Sequence, residues 1–188
     1  ADADTRPELR YDALAPAIPA FLRGTESVTQ VVARRDVLLP HPYESFDPVG
    51  RRLAMAHVGW RGTVKSAAAV AARALAAAGS RPADLGAAIS SSIGPCCYEV
   101  ERPVIDPLRD AFPRDWQKWV RAVGDGKWLL DLWAANEFQL ATTGVSADRI
   151  VNSRLCTACC PDLFFSYRKE GSVGRLVTVA SLPGRRLL

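Results

Sequence analysis

The spacing of apolar and polar residues predicts alternating strands and helices from residue 51 onward. Short apolar runs at 53–56, 85–93, 128–130, 150–151, 164–167 and 176–182 are typical of strands. Segments with helical periodicity lie at 63–78, 100–112 and 132–143, and Gly79 and Gly144 would end the first and the last of them. Thr63 would cap the first helix. This alternation predicts a single domain of mixed α/β (α+β) class.

Residues 1–50 have a weaker pattern than the rest of the chain. Prolines interrupt this segment at positions 7, 16, 19, 40, 42 and 48, and only the apolar stretch 28–39 has the length of one or two strands. We therefore divide the chain into a core of residues 51–188 and an N-terminal segment, 1–50, that we expect to be part of the same domain.

Composition places the chain among ordinary folded proteins. It has 188 residues, of which 48% are hydrophobic and 23% charged, which argues against a disordered chain. No run of eighteen apolar residues occurs, so no membrane span is expected. The acidic start of the chain lacks the apolar stretch of a signal peptide, which predicts a cytoplasmic location.

The charge distribution favours an anionic small molecule as partner. The chain has a net charge of +4, and its positive excess falls in residues 51–188. These basic residues are scattered and form no nucleic-acid motif, so nucleic acid is not expected. The chain contains two histidines, His41 and His57, and one methionine. Two imidazoles cannot build a multicopper centre within one chain, which makes copper a weaker expectation than zinc.

Five cysteines occur, at positions 96, 97, 156, 159 and 160. Their odd number and adjacent pairs predict reduced thiols rather than a disulfide framework. The spacing of Cys156 and Cys159 is half of a zinc-ribbon pattern. Cys96 and Cys97 would complete a four-thiolate site only if folding brought the two pairs together. Free, partly buried thiols are the alternative.

The segment from residue 53 to 79 carries the sharpest chemical signal. His57 ends a predicted strand, a turn with two glycines follows, and a helix then begins near Arg61 and Lys65. Backbone N–H groups at a helix start, together with two cations, are typical of an anion site. His57 would act there as a metal ligand or acid–base group. A tight turn and a structural histidine explain the same pattern without function.

Five motifs in this order resemble the laccase-domain family. They are 55–62 (MAHVGWRG), similar to the family's HAGWRG; 93–100 (IGPCCYEV); 130–140 (LDLWAANEFQL); 156–159 (CTAC); and 164–168 (FFSYR). The resemblance implies a layered α-β-β-α sandwich. It also implies a purine nucleoside phosphorylase that additionally deaminates adenosine.

The resemblance implies purine nucleoside and phosphate as substrates, with the protein a monomer or weak homo-oligomer. Arg61 and Lys65 become phosphate candidates, and Arg168 in the last motif becomes a third. A surface ion pair is the alternative for Arg168. Arg61 and His57 are the catalytic candidates. Polyphenol oxidation and peptidoglycan-editing hydrolysis are alternative activities within the same family.

The family binds zinc through two histidines and one cysteine, and His57 is the only one of these that the motifs match. Val32 stands roughly where the other histidine is expected, and no cysteine precedes Cys96. His41 is a speculative replacement. A paralogue with an incomplete metal site and no catalysis therefore remains a further alternative.

Overall fold

The computed structural model describes the backbone of residues 42–47 and, with side chains, residues 52–171, 174, 176 and 178. Its strands are β1 Pro42–Asp47, β2 Arg52–His57, β3 Gly86–Ile89, β4 Glu99–Glu101, β5 Val120–Gly124, β6 Lys127–Leu130 and β7 Ile150–Asn152. Its helices are α1 Trp60–Val64, α2 Ala67–Ala77, α3 Arg102–Ala111, α4 Leu132–Ala141 and α5 Tyr167–Glu170.

The strands form two sheets. The larger has the order β2-β1-β3-β7, with β1 antiparallel to β2 and β3, and β3 parallel to β7. The smaller is antiparallel, with the order β4-β6-β5. The predicted mixed α/β class is confirmed. In the described part of the chain no helix is long and apolar enough to cross a membrane.

Helices pack on the sheets around one apolar core. Helix α2 contacts β2 on one side and α4 on the other, and its alanine side chains allow this close approach. The largest fully buried apolar residues are Leu85, Leu108, Leu130 and Leu140. Each such leucine contributes about 1.5–3 kcal/mol by leaving water.

The predicted helix 63–78 is two helices. Helix α1 begins at Trp60, three residues before the predicted start, with Gly59 as its N-cap. Ser66 then adopts a left-handed conformation, φ 55°, which interrupts the helix before α2. Thr63 is buried inside α1, so its predicted role as a cap is wrong. Gly79, at φ 99°, follows the end of α2 at the predicted position.

Other differences are local. Residues 164–167 were expected to form a strand, but the Phe164 N–H donates to the Cys160 carbonyl at 3.0 Å and α5 starts at Tyr167. The β5–β6 hairpin was not predicted, although its turn carries a Gly-Asp-Gly signal at 124–126, all three with positive φ. The predicted strand 28–39 and most of 176–182 lie outside the described residues.

Candidate functional site

Strand β2 ends at His57, and the chain turns there directly into α1. A Cβ atom added to Gly62 would lie 3.1 Å from the His57 carbonyl oxygen, so the turn brings helix and strand too close for an easy fit of a larger residue. His57 is exposed, and its Nε2 lies 3.5 Å from where a Cβ of Gly59 would be. The turn thus holds this imidazole over the start of α1.

Polar side chains from α4 hold α1 in place. The Gln139 amide donates to the Thr63 carbonyl at 2.8 Å, and the Thr63 hydroxyl donates to Asn136 Oδ1 at 3.4 Å. All three side chains are buried. Since buried hydrogen bonds of this kind are expensive to break, they fix the helix that carries Arg61.

One arginine lies over the ring of Tyr98, and the charge of a second acts on the same residue. The Arg168 guanidinium lies 5.3 Å from the Tyr98 ring centroid, and its Nη1 donates to the Glu99 carbonyl at 2.6 Å. Arg61 stacks 4.3 Å from the ring centroid of its neighbour Trp60 and acts electrostatically on Tyr98. We call Arg61, Tyr98 and Arg168 the arginine–tyrosine cluster.

Two opposing effects act on the phenol of Tyr98. Burial raises the pKa of this phenol, while the charges of Arg168 and Arg61 act in the opposite direction. Both guanidinium groups are exposed, whereas the tyrosine is buried. The cluster therefore exposes two cations to solvent beside the buried ring of Tyr98. An exposed pair of this kind can bind an anion in bidentate fashion.

The sequence-predicted site residues separate into three places. Arg61 and Arg168 come together at Tyr98 although 107 positions separate them along the chain. Lys65 is the C-cap of α1, at the far end of this short helix from Gly59. His41 lies outside the described residues. Tyr98 stands in the motif IGPCCYEV, but the letters of that motif do not show that its ring lies under Arg168.

The described residues do not supply the histidine–cysteine–histidine set implied by the resemblance. His57 is their only histidine, and all five cysteines follow it in the chain. A catalytic zinc usually has three protein ligands, and His57 supplies one.

The cysteines instead gather at another place. The sulfur atoms of Cys96, Cys97, Cys156 and Cys159 all lie within 4.8 Å of one another, and we call them the cysteine cluster. Cys159 Sγ is 3.5 Å from Cys96 Sγ and 3.4 Å from Cys97 Sγ. Cys156 is buried and the other three are partly or fully exposed. Folding thus brings the pair Cys96 and Cys97 next to the pair Cys156 and Cys159, as a four-thiolate site requires.

The thiols of this cluster differ in acidity. Burial raises the pKa of Cys156, but the backbone N–H of Gly94 donates to its sulfur and nearby backbone dipoles act in the same direction, and the pKa falls to about 7. Hydrogen bonding with Cys159 raises the pKa of Cys97 to about 11. Loss of solvation raises the pKa of Cys96 as well. The four sulfurs thus act on one another as a group.

Comparison with known proteins gives one consistent family. The family model described as multi-copper polyphenol oxidoreductase laccase matches residues 42–183. Purine nucleoside phosphorylase YlmD of Geobacillus stearothermophilus is 38% identical over 144 residues, which are 74% of this chain and 50% of that protein. Adenosine deaminase RL5, from an unknown prokaryotic organism, is 35% identical over 127 residues, 67% of this chain and 48% of that one.

Solved structures agree on the fold. The crystal structure of YlmD from Geobacillus stearothermophilus superposes with a TM-score of 0.67 at 35% identity, over 72% of this chain and 52% of that one. The chain spans about half the length of these relatives. A separate similarity joins 46 residues to a polyphosphate kinase of Pseudomonas syringae at 52% identity, but it covers 6% of the kinase and carries no activity.

Proposed function

The chain belongs to the multi-copper polyphenol oxidoreductase laccase family, and we propose that it acts in the phosphorolysis of purine nucleosides. The names of its relatives support this substrate class. The observation that carries the proposal is the position of Arg168 over the Tyr98 ring, with the charge of Arg61 acting on the same phenol. A pair of cations beside an aromatic ring suits a reaction in which phosphate displaces the purine base of a nucleoside.

The proposed reaction converts inosine and phosphate into hypoxanthine and ribose 1-phosphate. A phosphate oxygen bonds to C1′ of the ribose while the bond from C1′ to the purine nitrogen breaks. The electron pair of that bond leaves with the purine, which takes up a proton. Arg61 and Arg168 would hold the phosphate charge and aim its oxygen at C1′, which lowers the barrier by positioning.

Deamination of adenosine and a resident zinc are expectations from the resemblance, and one relative is named an adenosine deaminase. Deamination requires a metal-activated water. Because the described residues offer only His57 toward the family's ligand set, we derive no step through a metal. Polyphenol oxidation and peptidoglycan editing have no observation of their own in their favour. The cytoplasmic location remains a prediction.

The test is an assay of hypoxanthine release from inosine in the presence of phosphate, with the variants Arg61→Gln and Arg168→Gln. Loss of a charged hydrogen-bond donor costs about 1.5–3 kcal/mol, so we expect kcat/KM for phosphate to fall about tenfold or more in each variant. Lys169→Gln and Arg73→Gln remove exposed cations elsewhere on α5 and α2 and serve as matched controls.

Three outcomes would contradict the proposal. Phosphate-independent release of the base would point to a hydrolase. No turnover by a folded chain would favour the inactive paralogue. Equal losses in the variants and the controls would show that general charge, rather than the arginine–tyrosine cluster, binds the phosphate.

A further inference from the structure

The cysteine cluster has the dimensions of a tetrahedral metal site. Four sulfurs around zinc, each at about 2.3 Å, lie about 3.8 Å apart. The four sulfurs of the cluster are all within 4.8 Å of one another, and Cys159 approaches Cys96 and Cys97 at 3.5 and 3.4 Å. A small contraction and rotation of side chains would bring all four onto one ion. No backbone rearrangement is needed.

The backbone that carries the cluster is joined by hydrogen bonds. Ser92 forms a parallel bridge with Cys156: its N–H donates to the Leu155 carbonyl at 3.1 Å, and the Thr157 N–H donates to the Ser92 carbonyl at 3.0 Å. These bonds resume the parallel pairing of β3 with β7 beyond the two strands, with the register shifted by one residue: Ile89 pairs with Asn152, whereas Ser92 pairs with Cys156. The fold therefore fixes loop 92–98 beside loop 153–160 irrespective of any bound ion.

Each loop presents its cysteines from a tight turn. The Cys159 and Cys160 N–H groups donate to the Cys156 carbonyl at 3.1 and 3.2 Å, and the Cys97 N–H donates to the Gly94 carbonyl at 3.0 Å. The Gly94 N–H donates to Cys156 Sγ itself, at 3.2 Å. A sulfur that accepts a backbone hydrogen bond is oriented in advance, as second-shell contacts orient metal ligands.

We infer that Cys96, Cys97, Cys156 and Cys159 form a structural zinc site. Four soft sulfur ligands in a tetrahedron select zinc over harder cations, and a closed set of four leaves no open position for catalysis. The site is separate from the histidine-containing set implied by the family resemblance, because it contains no histidine. Its role would be to lock loop 92–98, which carries Tyr98, against loop 153–160.

The test is the zinc content of the full chain, purified under reducing conditions and dialysed against metal-free buffer. We expect about one zinc per chain. Cys156→Ser and Cys159→Ser should each reduce the retained zinc at least fivefold. Cys160→Ser is the matched control, because Cys160 is a neighbouring thiol outside the cluster. His57→Ala should also retain the zinc, which separates this site from any metal at the proposed nucleoside site.

Because a serine variant can fail to fold, the wild-type chain provides a second measurement. Its zinc is removed with a chelator and replaced by cobalt(II). We expect the intense sulfur-to-cobalt charge-transfer bands of a tetrahedral four-thiolate centre. Weak octahedral bands would overturn the proposal. So would zinc retained equally in Cys156→Ser and Cys160→Ser, or iron or copper in place of zinc. Fewer than five titratable thiols in the chain unfolded without reductant would also overturn it, because they would show a disulfide in place of a metal site.

Discussion

The arginine–tyrosine cluster and the cysteine cluster both contain residues of the segment 94–98, but different interactions position their side chains. Cys96 and Cys97 sit in a turn that main-chain hydrogen bonds fasten to loop 153–160. Arg61 and Arg168 instead have long, exposed side chains: Arg168 lies over the buried ring of Tyr98, and Arg61 lies against the ring of Trp60.

This difference separates two kinds of preorganisation. A metal site requires its ligand atoms within a few tenths of an ångström, and backbone hydrogen bonds supply that precision before any ion binds. A substrate site must take up phosphate and release a sugar phosphate. Exposed arginine side chains that can change conformation suit this task, provided that the aromatic ring beside them is fixed. Perturbing the packing around Gly94 should therefore affect metal retention more than phosphate binding.

Trp133 should give the largest effect. Its indole N–H donates to Ser92 Oγ at 2.5 Å, and its ring packs against Gly94, so it supports the whole of loop 92–98. Trp133→Ala should lower the free energy of unfolding by about 3–5 kcal/mol, as truncations of buried tryptophan do. Urea denaturation measures this loss.

Trp133→Phe is the control that keeps most of the ring and removes the hydrogen bond. It should cost about 1–3 kcal/mol, because the Ser92 hydroxyl is left buried without this donor. In both variants we expect zinc retention to fall further than kcat/KM for phosphate. The reverse order would show that the two clusters are not held differently.

Glycine-to-alanine substitutions at Gly94 and Gly59 compare the two regions through smaller changes in the free energy of unfolding. A Cβ added to Gly94 would lie 2.6 Å from Trp133 Cη2 and 3.1 Å from Cys156 Cβ. Gly94→Ala should therefore cost about 1–3 kcal/mol through overpacking and displace Cys156 from the cluster. A Cβ added to Gly59 meets only the movable His57 ring, at 3.5 Å.

Gly59→Ala should cost less than about 1 kcal/mol, since it only exchanges one weak N-cap residue for a poorer one. Thermal unfolding and zinc content measured side by side provide the check. Equal losses in Gly94→Ala and Gly59→Ala would mean that loop 92–98 is no more tightly packed than the turn before α1.

Most of the fold could be predicted from local pattern. The strand at 128–130 and the helix at 132–143 appear as β6 and α4 because apolar periodicity and Gly144 mark them. The break at Ser66 could not be predicted, since nothing local in an alanine-rich run indicates a left-handed serine. Tertiary anchoring of Thr63 by α4 makes α1 a separate element.

The candidate sites were predictable only in part, for a different reason. Arg61, Arg168 and the four cysteines stand in motifs that the sequence shows, but their grouping depends on contacts between residues 37 to 70 positions apart. Spacing along the chain carries no information on such contacts. The parallel pairing of β3 with β7, which joins the cysteine loops, becomes visible only when the sheet is assembled.

The smallest predicted effect is at Tyr98, where the two clusters are one residue apart. Tyr98→Leu removes the ring under Arg168, and a cation–π contact of this kind contributes about 0.5–1 kcal/mol. The KM for phosphate should therefore rise about two- to fivefold. Tyr98→Phe keeps the ring, and its KM for phosphate should stay near that of the wild type.

Zinc retention should not change in either variant, because Cys97 is held by its own turn through the Gly94 carbonyl and not by the ring that follows it. Loss of zinc in Tyr98→Leu would show that the Tyr98 ring and the turn of Cys96 and Cys97 are one structural unit. The positions of the arginines would then depend on the metal.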